Sequence, residues 1–319
     1  MIKKIIKAVN SVFGNFVRVQ SRLSFDEARK CLQETNPKPK GTCYTKNKLA
    51  IQYDLHIIIP AYNAEKYIKE CLESVFIQVS EYSVLATVVN DGSTDQTSII
   101  LENLKKLYKG NQIDIEIINQ DNKGYSGARN TALSFIRGKY IIFLDADDVL
   151  PQDTIEVMLD TAYEYDADIL QGSWYTFTNE KKKEHRVKES GKESGSQGYI
   201  SGYPWGKLYK YSVLENFQFP DGYWFEDTPI SFILAALPFK CISIDNIVYG
   251  YRLNSEGITS KAVYSEKSID SYWITEQCLK EFPKFKVHYD QKAYEYLLQQ
   301  SIMNAWRIRK QKRKVRESE

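Results

Sequence analysis

The feature that most constrains this chain is an alternation that begins at Leu55. Short apolar runs, each stopped by a polar cluster, take turns with segments of helical periodicity. Residues 55–59 form a run stopped by Pro60, and residues 65–77 carry Ile68, Leu72, Val75 and Phe76 at one-face helical spacing. A second strand is expected at 84–89, ended by Asn90, Asp91, Gly92 and Ser93. Asp95 is placed to cap the helix through Ile99, Leu104 and Leu107. The pattern continues with a strand at 113–118, a helix at 126–136, a strand at 140–144, a helix opened by Asp153 and a strand at 168–170. Repeated βα units predict an α/β fold with a mostly parallel sheet between helices. Ligands of such sheets bind at the carboxyl ends of the strands. Four polar clusters fall there: 60–63, 91–95, 122–130 and 145–148.

The third and fourth clusters suggest chemistry. Asp145, Asp147 and Asp148 put three carboxylates in four residues, which repel one another unless a cation compensates. Mn²⁺ or Mg²⁺ suits that role, because both favour oxygen ligands and bind diphosphates. The plainer reading is a solvated, helix-capping turn. In Asn122-Lys-Gly-Tyr-Ser-Gly-Ala-Arg-Asn130, glycines precede a helix and Lys123 and Arg129 add positive charge. That combination attracts anions, although a glycine-rich loop with a surface arginine accounts for it too.

In order, Ile-Ile-Pro-Ala-Tyr-Asn, Asn-Asp-Gly-Ser-Thr-Asp, Asn-x-Gly-x-x-x-Ala-Arg-Asn and Phe-Leu-Asp-Ala-Asp-Asp resemble the successive signatures of family-2 glycosyltransferases, over residues 55–261. The resemblance implies the GT-A fold and inverting transfer from a nucleotide-diphosphate sugar, of the UDP class. It places Pro60, Tyr62, Asn63 and Glu65 beside the base and ribose and Asp91 on the base. Lys123, Gly124 and Arg129 would lie at the nucleotide's other side. Asp145 would serve ribose and metal, and Asp147 the metal directly; Asp148 stays open as a structural residue. Further on, Trp224-Phe-Glu-Asp227 resembles the family's acceptor-side acidic pair, with Asp227 as general base and Glu226 assisting. Trp205 and Lys207 match an acceptor-bordering segment in which Gly206 replaces the usual Asn. Arg252 matches an arginine that reaches the diphosphate, with Gly257 departing from the family's Ser just beyond it.

The rest of the chain bounds the reading. Its 319 residues hold five dispersed cysteines and no CxxC pair, which excludes a disulfide framework and fits a reducing cytoplasm. No apolar run approaches the roughly 20 residues that cross a bilayer, and no signal peptide is expected. Residues 1–50 read as an amphipathic helix over 2–19 followed by a linker at 34–48. Residues 51–262 read as the catalytic domain, with a nucleotide half at 51–150 and an acceptor half at 151–262. Residues 263–319 read as two helices with a basic tail. Residues 179–198 are polar and read as a mobile loop. Residues 306–316 hold seven basic side chains and no acidic one. With the N-terminal segment, this run suits the anionic inner face of the cell membrane and a lipid-linked glycan acceptor, at about 1 kcal/mol per basic residue. The alternative is a packing helix and a solvated tail. No nucleic-acid recognition fold accompanies the charge, so nucleic acid is not expected as a partner. Two rival functions remain: a nucleotidyltransferase, disfavoured because 60–63 stands where its glycine-rich loop belongs, and an inactive glycan-binding scaffold on the same fold.

Overall fold

The computed structural model describes residues 24–189, 200–254, 265–288 and 291–317. An eight-stranded sheet forms its centre. Strands β1 (Lys48–Ala61), β2 (Val84–Asp91), β3 (Ile113–Gln120) and β4 (Phe135–Phe143) lie in the order β3-β2-β1-β4, all parallel. Helices α2 (Ile68–Phe76), α3 (Thr97–Leu107) and α4 (Gly124–Leu133) connect them. Both faces of β1 and β2 are covered, so these strands read as continuous apolar runs. The two-residue period sorts β1 between two cores. Leu55, Ile57 and Ile59 pack with Ile68, Leu72, Val75 and Leu101, whereas Ile58 faces Ala128 and Leu133 of α4. Burying each such side chain contributes about 1.5–3 kcal/mol.

The sheet continues through β5 (Ile169–Phe177), β6 (Lys182–His185), β7 (Lys207–Lys210) and β8 (Cys241–Arg252). Here β7 runs antiparallel to β4 and β5, β6 antiparallel to β5, and β8 parallel to β5. Helix α5 (Thr154–Glu164) covers β5 and β8. Part of the segment expected to be a mobile loop is therefore strand β6. Its register against β5 is held by Trp174 stacking on His185 at 5.2 Å and by Lys182 over the Tyr175 ring. Residues 190–199 lie outside the described residues.

The stretch expected as a linker is pinned rather than free. The Asn36 side chain donates to Asp270 at 2.6 Å, the Cys43 N–H donates to Glu281 at 2.6 Å, and Asn47 donates to the carbonyls of Leu214 and Phe217. Before it, α1 (Phe25–Thr35) starts with a capping box between Ser24 and Glu27. Short helices α6 (Tyr211–Leu214) and α7 (Thr228–Phe232) precede the long helices α8 (Asp270–Phe285) and α9 (Gln291–Glu317). No described helix is long and apolar enough to cross a membrane. The amphipathic segment 2–19 and the loop with Gly257 lie outside the described residues.

A cavity of about 220 Å³ is lined by His56, Thr87, Glu116 and Arg137, mostly from the amino halves of the parallel strands. His56 is fully buried and bonded to Thr87 at 2.8 Å; burial, with Arg137, pushes its pKa down to about 3. Because the folded value lies below the unfolded one, stability is present above about pH 6.5 and lost as pH falls toward 3. Replacing His56→Gln should cut the stability lost between about pH 7 and pH 5.5 by about 1 kcal/mol, measured by urea unfolding at both values.

Candidate active site

Four strand ends meet at one edge of the parallel half, and local hydrogen bonds lace their clusters together. Asn63, at φ 47, accepts from the Thr94 N–H at 2.8 Å while its own N–H donates to Ser93. The Glu65 carboxylate accepts from the Gln96 N–H, and Asp95 accepts from the N–H groups of Glu65 and Thr97. Asp95 thus caps α3 as expected and also ties it to the loop after β1. Pro60 is half-buried in the last turn of β1, and Tyr62 stands 52% exposed beyond it. Asp91 closes β2. One of its oxygens accepts from the Lys123 N–H at 2.8 Å and from Gln120 at 2.6 Å. Its other oxygen, Oδ2, is buried and has no partner. Gly124, at φ +75, opens α4 with free space where a Cβ would stand.

Helix α4 reaches across to the second half of the chain. Tyr125 donates to the Tyr223 carbonyl at 2.8 Å. Asn130 bonds both backbone groups of Phe219. Arg129 lies between two acids: Nη2 donates to Asp145 at 2.6 Å and Nη1 to Glu226 at 2.8 Å, with the guanidinium over the Phe219 ring. Burial opposes the Arg129 charge, but Asp145 and Glu226 outweigh it and hold its pKa above the ordinary arginine value. The cluster expected to bind the donor is therefore also the bolt between the two halves of the site.

The acidic triplet divides into distinct environments. It lies well ahead of α5, so it does not cap that helix. Asp148 is buried, accepting from the Tyr249 hydroxyl at 2.7 Å and the Arg252 N–H at 2.7 Å, which makes it a fastener for β8. Asp145 keeps 26% of its side chain open. Burial and the Asp145 charge raise the Asp147 pKa, the mark of an anion pair short of positive charge. Among the described residues no group of three or more His, Cys, Asp and Glu side chains forms a metal cage. Two carboxylates at a strand end nonetheless fit Mg²⁺ or Mn²⁺, which take one or two carboxylates and complete their shell from phosphates. Arg252 sits beneath, donating to the Asp147 carbonyl at 2.7 Å and to Glu70 at 2.6 Å, between the Tyr67 and Phe177 rings.

Across from the triplet are Glu226 and Asp227. Asp227 precedes α7 but makes no side-chain capping bond to it. Burial lifts the Glu226 pKa to about 8 against the pull of Arg129, and burial raises that of Asp227. The backbone leading into the pair is held from α8: the Trp224 N–H donates to Asp270, the carboxylate that also accepts from Asn36. Trp205 is stacked between Tyr203 at 4.6 Å and Tyr249 at 4.7 Å. Gly206 has φ +66, a conformation that glycine and asparagine tolerate best. Lys207 is 1% exposed; its ammonium donates to Ser201 and to the Tyr203 and Trp205 carbonyls, and burial pushes its pKa down to about 7. It holds the Trp205 loop in shape rather than standing at a surface. Asp270 and Tyr249 escaped sequence reasoning, because each lies far along the chain from the motif it supports. Tyr125 escaped it too, although it stands inside the 122–130 cluster.

The family and the fold agree with comparison to known proteins. Residues 56–225 match the family model described as glycosyl transferase family 2. That is more than half of the chain, and the chain belongs to this family. Glycosyltransferase GlyA of Streptococcus pneumoniae serotype 4 is 32% identical over 230 residues, covering 66% of this chain and 32% of GlyA. The chain thus aligns with about a third of that relative's length. Two solved structures share the fold. Residues 1–349 of S. aureus TarS, in complex with UDP-GlcNAc, give a TM-score of 0.53 at 18% identity, covering 81% of this chain and 82% of that one. The mannosyltransferase PcManGT of Pyrobaculum calidifontis, in complex with GDP-Man and Mn²⁺, gives 0.58 at 15% identity, covering 98% and 85%. Both expectations made from the motifs, family and GT-A fold, hold.

Replacing Arg129→Leu leaves two half-buried carboxylates facing each other without a cation. It should lower the unfolding free energy by about 3 kcal/mol, the low end for breaking a buried pair, read from urea denaturation, with Arg129→Lys losing less.

Proposed function

We propose that this glycosyltransferase moves a monosaccharide, with inversion, from a nucleoside-diphosphate sugar of the UDP class to a glycan hydroxyl. The acceptor in this reading is carried on a lipid at the inner face of the cell membrane, during assembly of a cell-surface polysaccharide. One observation supports a single transfer centre above the others. A single guanidinium, Arg129, binds both Asp145 of the expected donor site and Glu226 of the expected acceptor site. The sugar-bearing and hydroxyl-bearing ends of the reaction then occupy one cleft. The buried, unpartnered Oδ2 of Asp91 suits a hydrogen bond from the donor's base, beside Pro60, Tyr62, Asn63 and Glu65. The nucleotide sugars named with the two neighbours support the donor class. The six basic residues within 309–316 and the amphipathic segment 2–19 support the membrane-side acceptor.

In this mechanism Asp227 accepts the proton of the acceptor hydroxyl. The oxygen attacks the anomeric carbon opposite the leaving nucleoside diphosphate. Asp145 and Asp147 would hold Mn²⁺ or Mg²⁺, which supplies charge neutralisation for the departing diphosphate. Lys123, Gly124 and Arg252 add backbone N–H and positive charge at that end. Glu226, fixed by Arg129, orients its neighbour. Trp205, held by Lys207 and packed between Tyr203 and Tyr249, shapes the wall that borders the acceptor sugar. The inactive-scaffold alternative is disfavoured because Asp227 caps no helix and Asp147 makes no structural ion pair among the described residues.

Two substitutions separate the roles. Asp227→Asn should lower transfer by about a thousandfold or more while UDP affinity, measured with Mn²⁺ by calorimetry, stays within about threefold. Asp147→Asn should instead weaken that Mn²⁺-dependent UDP binding by about tenfold or more. An Asp227→Asn variant that loses UDP binding and transfer together sinks the assignment.

A further inference from the structure

We propose that Arg307, on the last helix, is a positioning residue of the transfer centre that supplies the cation facing Asp227. The proposal deepens the reading above and rests on Asp227 being the general base. In sequence Arg307 belongs to a basic run that suggests a tail. In the fold it turns inward. Its guanidinium lies over the Phe225 ring at 3.7 Å, two residues before Asp227. Its Nη1 donates to the Ser271 hydroxyl at 2.6 Å. That hydroxyl belongs to a buried network on the facing sides of α8 and α9: it donates to Asn304, which donates to Thr275 at 2.9 Å and accepts from Gln300. Helix α9 also packs on α7, which begins directly after Asp227. Network, ring and helix contacts fix a long side chain that would otherwise sample many rotamers.

The charge balance gives this placement a purpose. Asp227 is half-buried beside Glu226, and two acids so placed favour protonation, which would disable a base. The charged and titratable groups facing Asp227 are Arg129 from α4, Lys207 from β7, Arg307 from α9, and the phenols of Tyr125 and Tyr209. Arg129 is shared between Asp145 and Glu226, and Lys207 is bound by Ser201 and two carbonyls. Among the described residues no carboxylate lies at ion-pair distance from Arg307, and Asp227 is the acid whose field acts on it. Burial raises the Asp227 pKa and lowers that of Arg307; against it, Arg307 is the largest influence holding the Asp227 pKa down, and Asp227 holds that of Arg307 up. Asp227 therefore owes its readiness to accept a proton to a helix outside the residues that match the family model.

The test uses the full chain and follows the 13C resonance of the Asp227 carboxyl, assigned with Asp227→Asn. Arg307→Gln removes the charge while keeping a donor for Ser271. It should raise the Asp227 midpoint by about one pH unit or more, and Arg307→Lys should restore it to within about 0.3 units. Arg307→Met provides a second uncharged variant should the first fail to fold. Near-UV circular dichroism and Mn²⁺-dependent UDP binding should match the wild type. Nucleotide release from the UDP-sugar giving the largest thermal shift should slow about tenfold at about pH 6 in Arg307→Gln and recover at alkaline pH. An unmoved Asp227 midpoint in both folded uncharged variants overturns the proposal. If Asp227→Asn releases nucleotide at the wild-type rate, the general-base reading itself fails. If Asp227→Asn is inactive and the midpoint does not respond to Arg307, only the present proposal fails.

Discussion

A guanidinium between two carboxylates holds this site together. Arg129 is nearly out of water, and its charge is tolerable there only because Asp145 and Glu226 flank it. The converse also holds: those acids share a small volume with Asp147 and Asp227, and without Arg129 their repulsion would open the cleft. One side chain thus stabilises both halves and sets the spacing between them. A lysine could not do the same, because the two contacts use two separate nitrogens of one planar fork.

The scaffold delivers that side chain by ordinary βα geometry. The parallel strands end together at one edge, and α4 starts just beyond β3 with its residues aimed over that edge. Asn130 and Tyr125 on the same helix bind the backbone of the second half. The second half answers from below, where Asp148 and Arg252 fasten β8 to the loop that presents Asp145 and Asp147. Neighbouring aspartates thereby acquire different work: Asp148 is consumed by structure, and the other two stay partly exposed. Burial and hydrogen bonding make that division, since the three are chemically identical.

Helices α8 and α9 extend the same logic to Glu226 and Asp227. Asp270 holds the backbone before Glu226, and a buried polar network holds Arg307 against Phe225. Buried networks of this kind are costly unless satisfied, and here they fix the Arg307 side chain against Phe225. The pinned stretch through Asn36 and Cys43 braces α8 from outside. The ends of the chain therefore shape the middle.

By itself the sequence determined the βα alternation, the strand ends carrying the polar clusters, and the family, because apolar periodicity and short motifs are local and survive without knowledge of contacts. Strands 84–89 and 113–118 and the Asp95 cap lie where the periodicity places them, extended by only a few residues. The tertiary structure alone decided what each charged group faces. Arg129 looked like a donor ligand and is a bridge; Lys207 looked like an acceptor contact and is a buried brace; Arg307 looked like part of a tail and faces Asp227. Strand β6 escaped notice because its polar residues pair with β5 through backbone bonds and a Trp174–His185 stack, neither of which leaves an apolar period. For Arg129 and Arg307 the physical reason is the same. Electrostatic partners are chosen by distance in space, and the residues concerned are 16 to 97 positions apart for Arg129 alone.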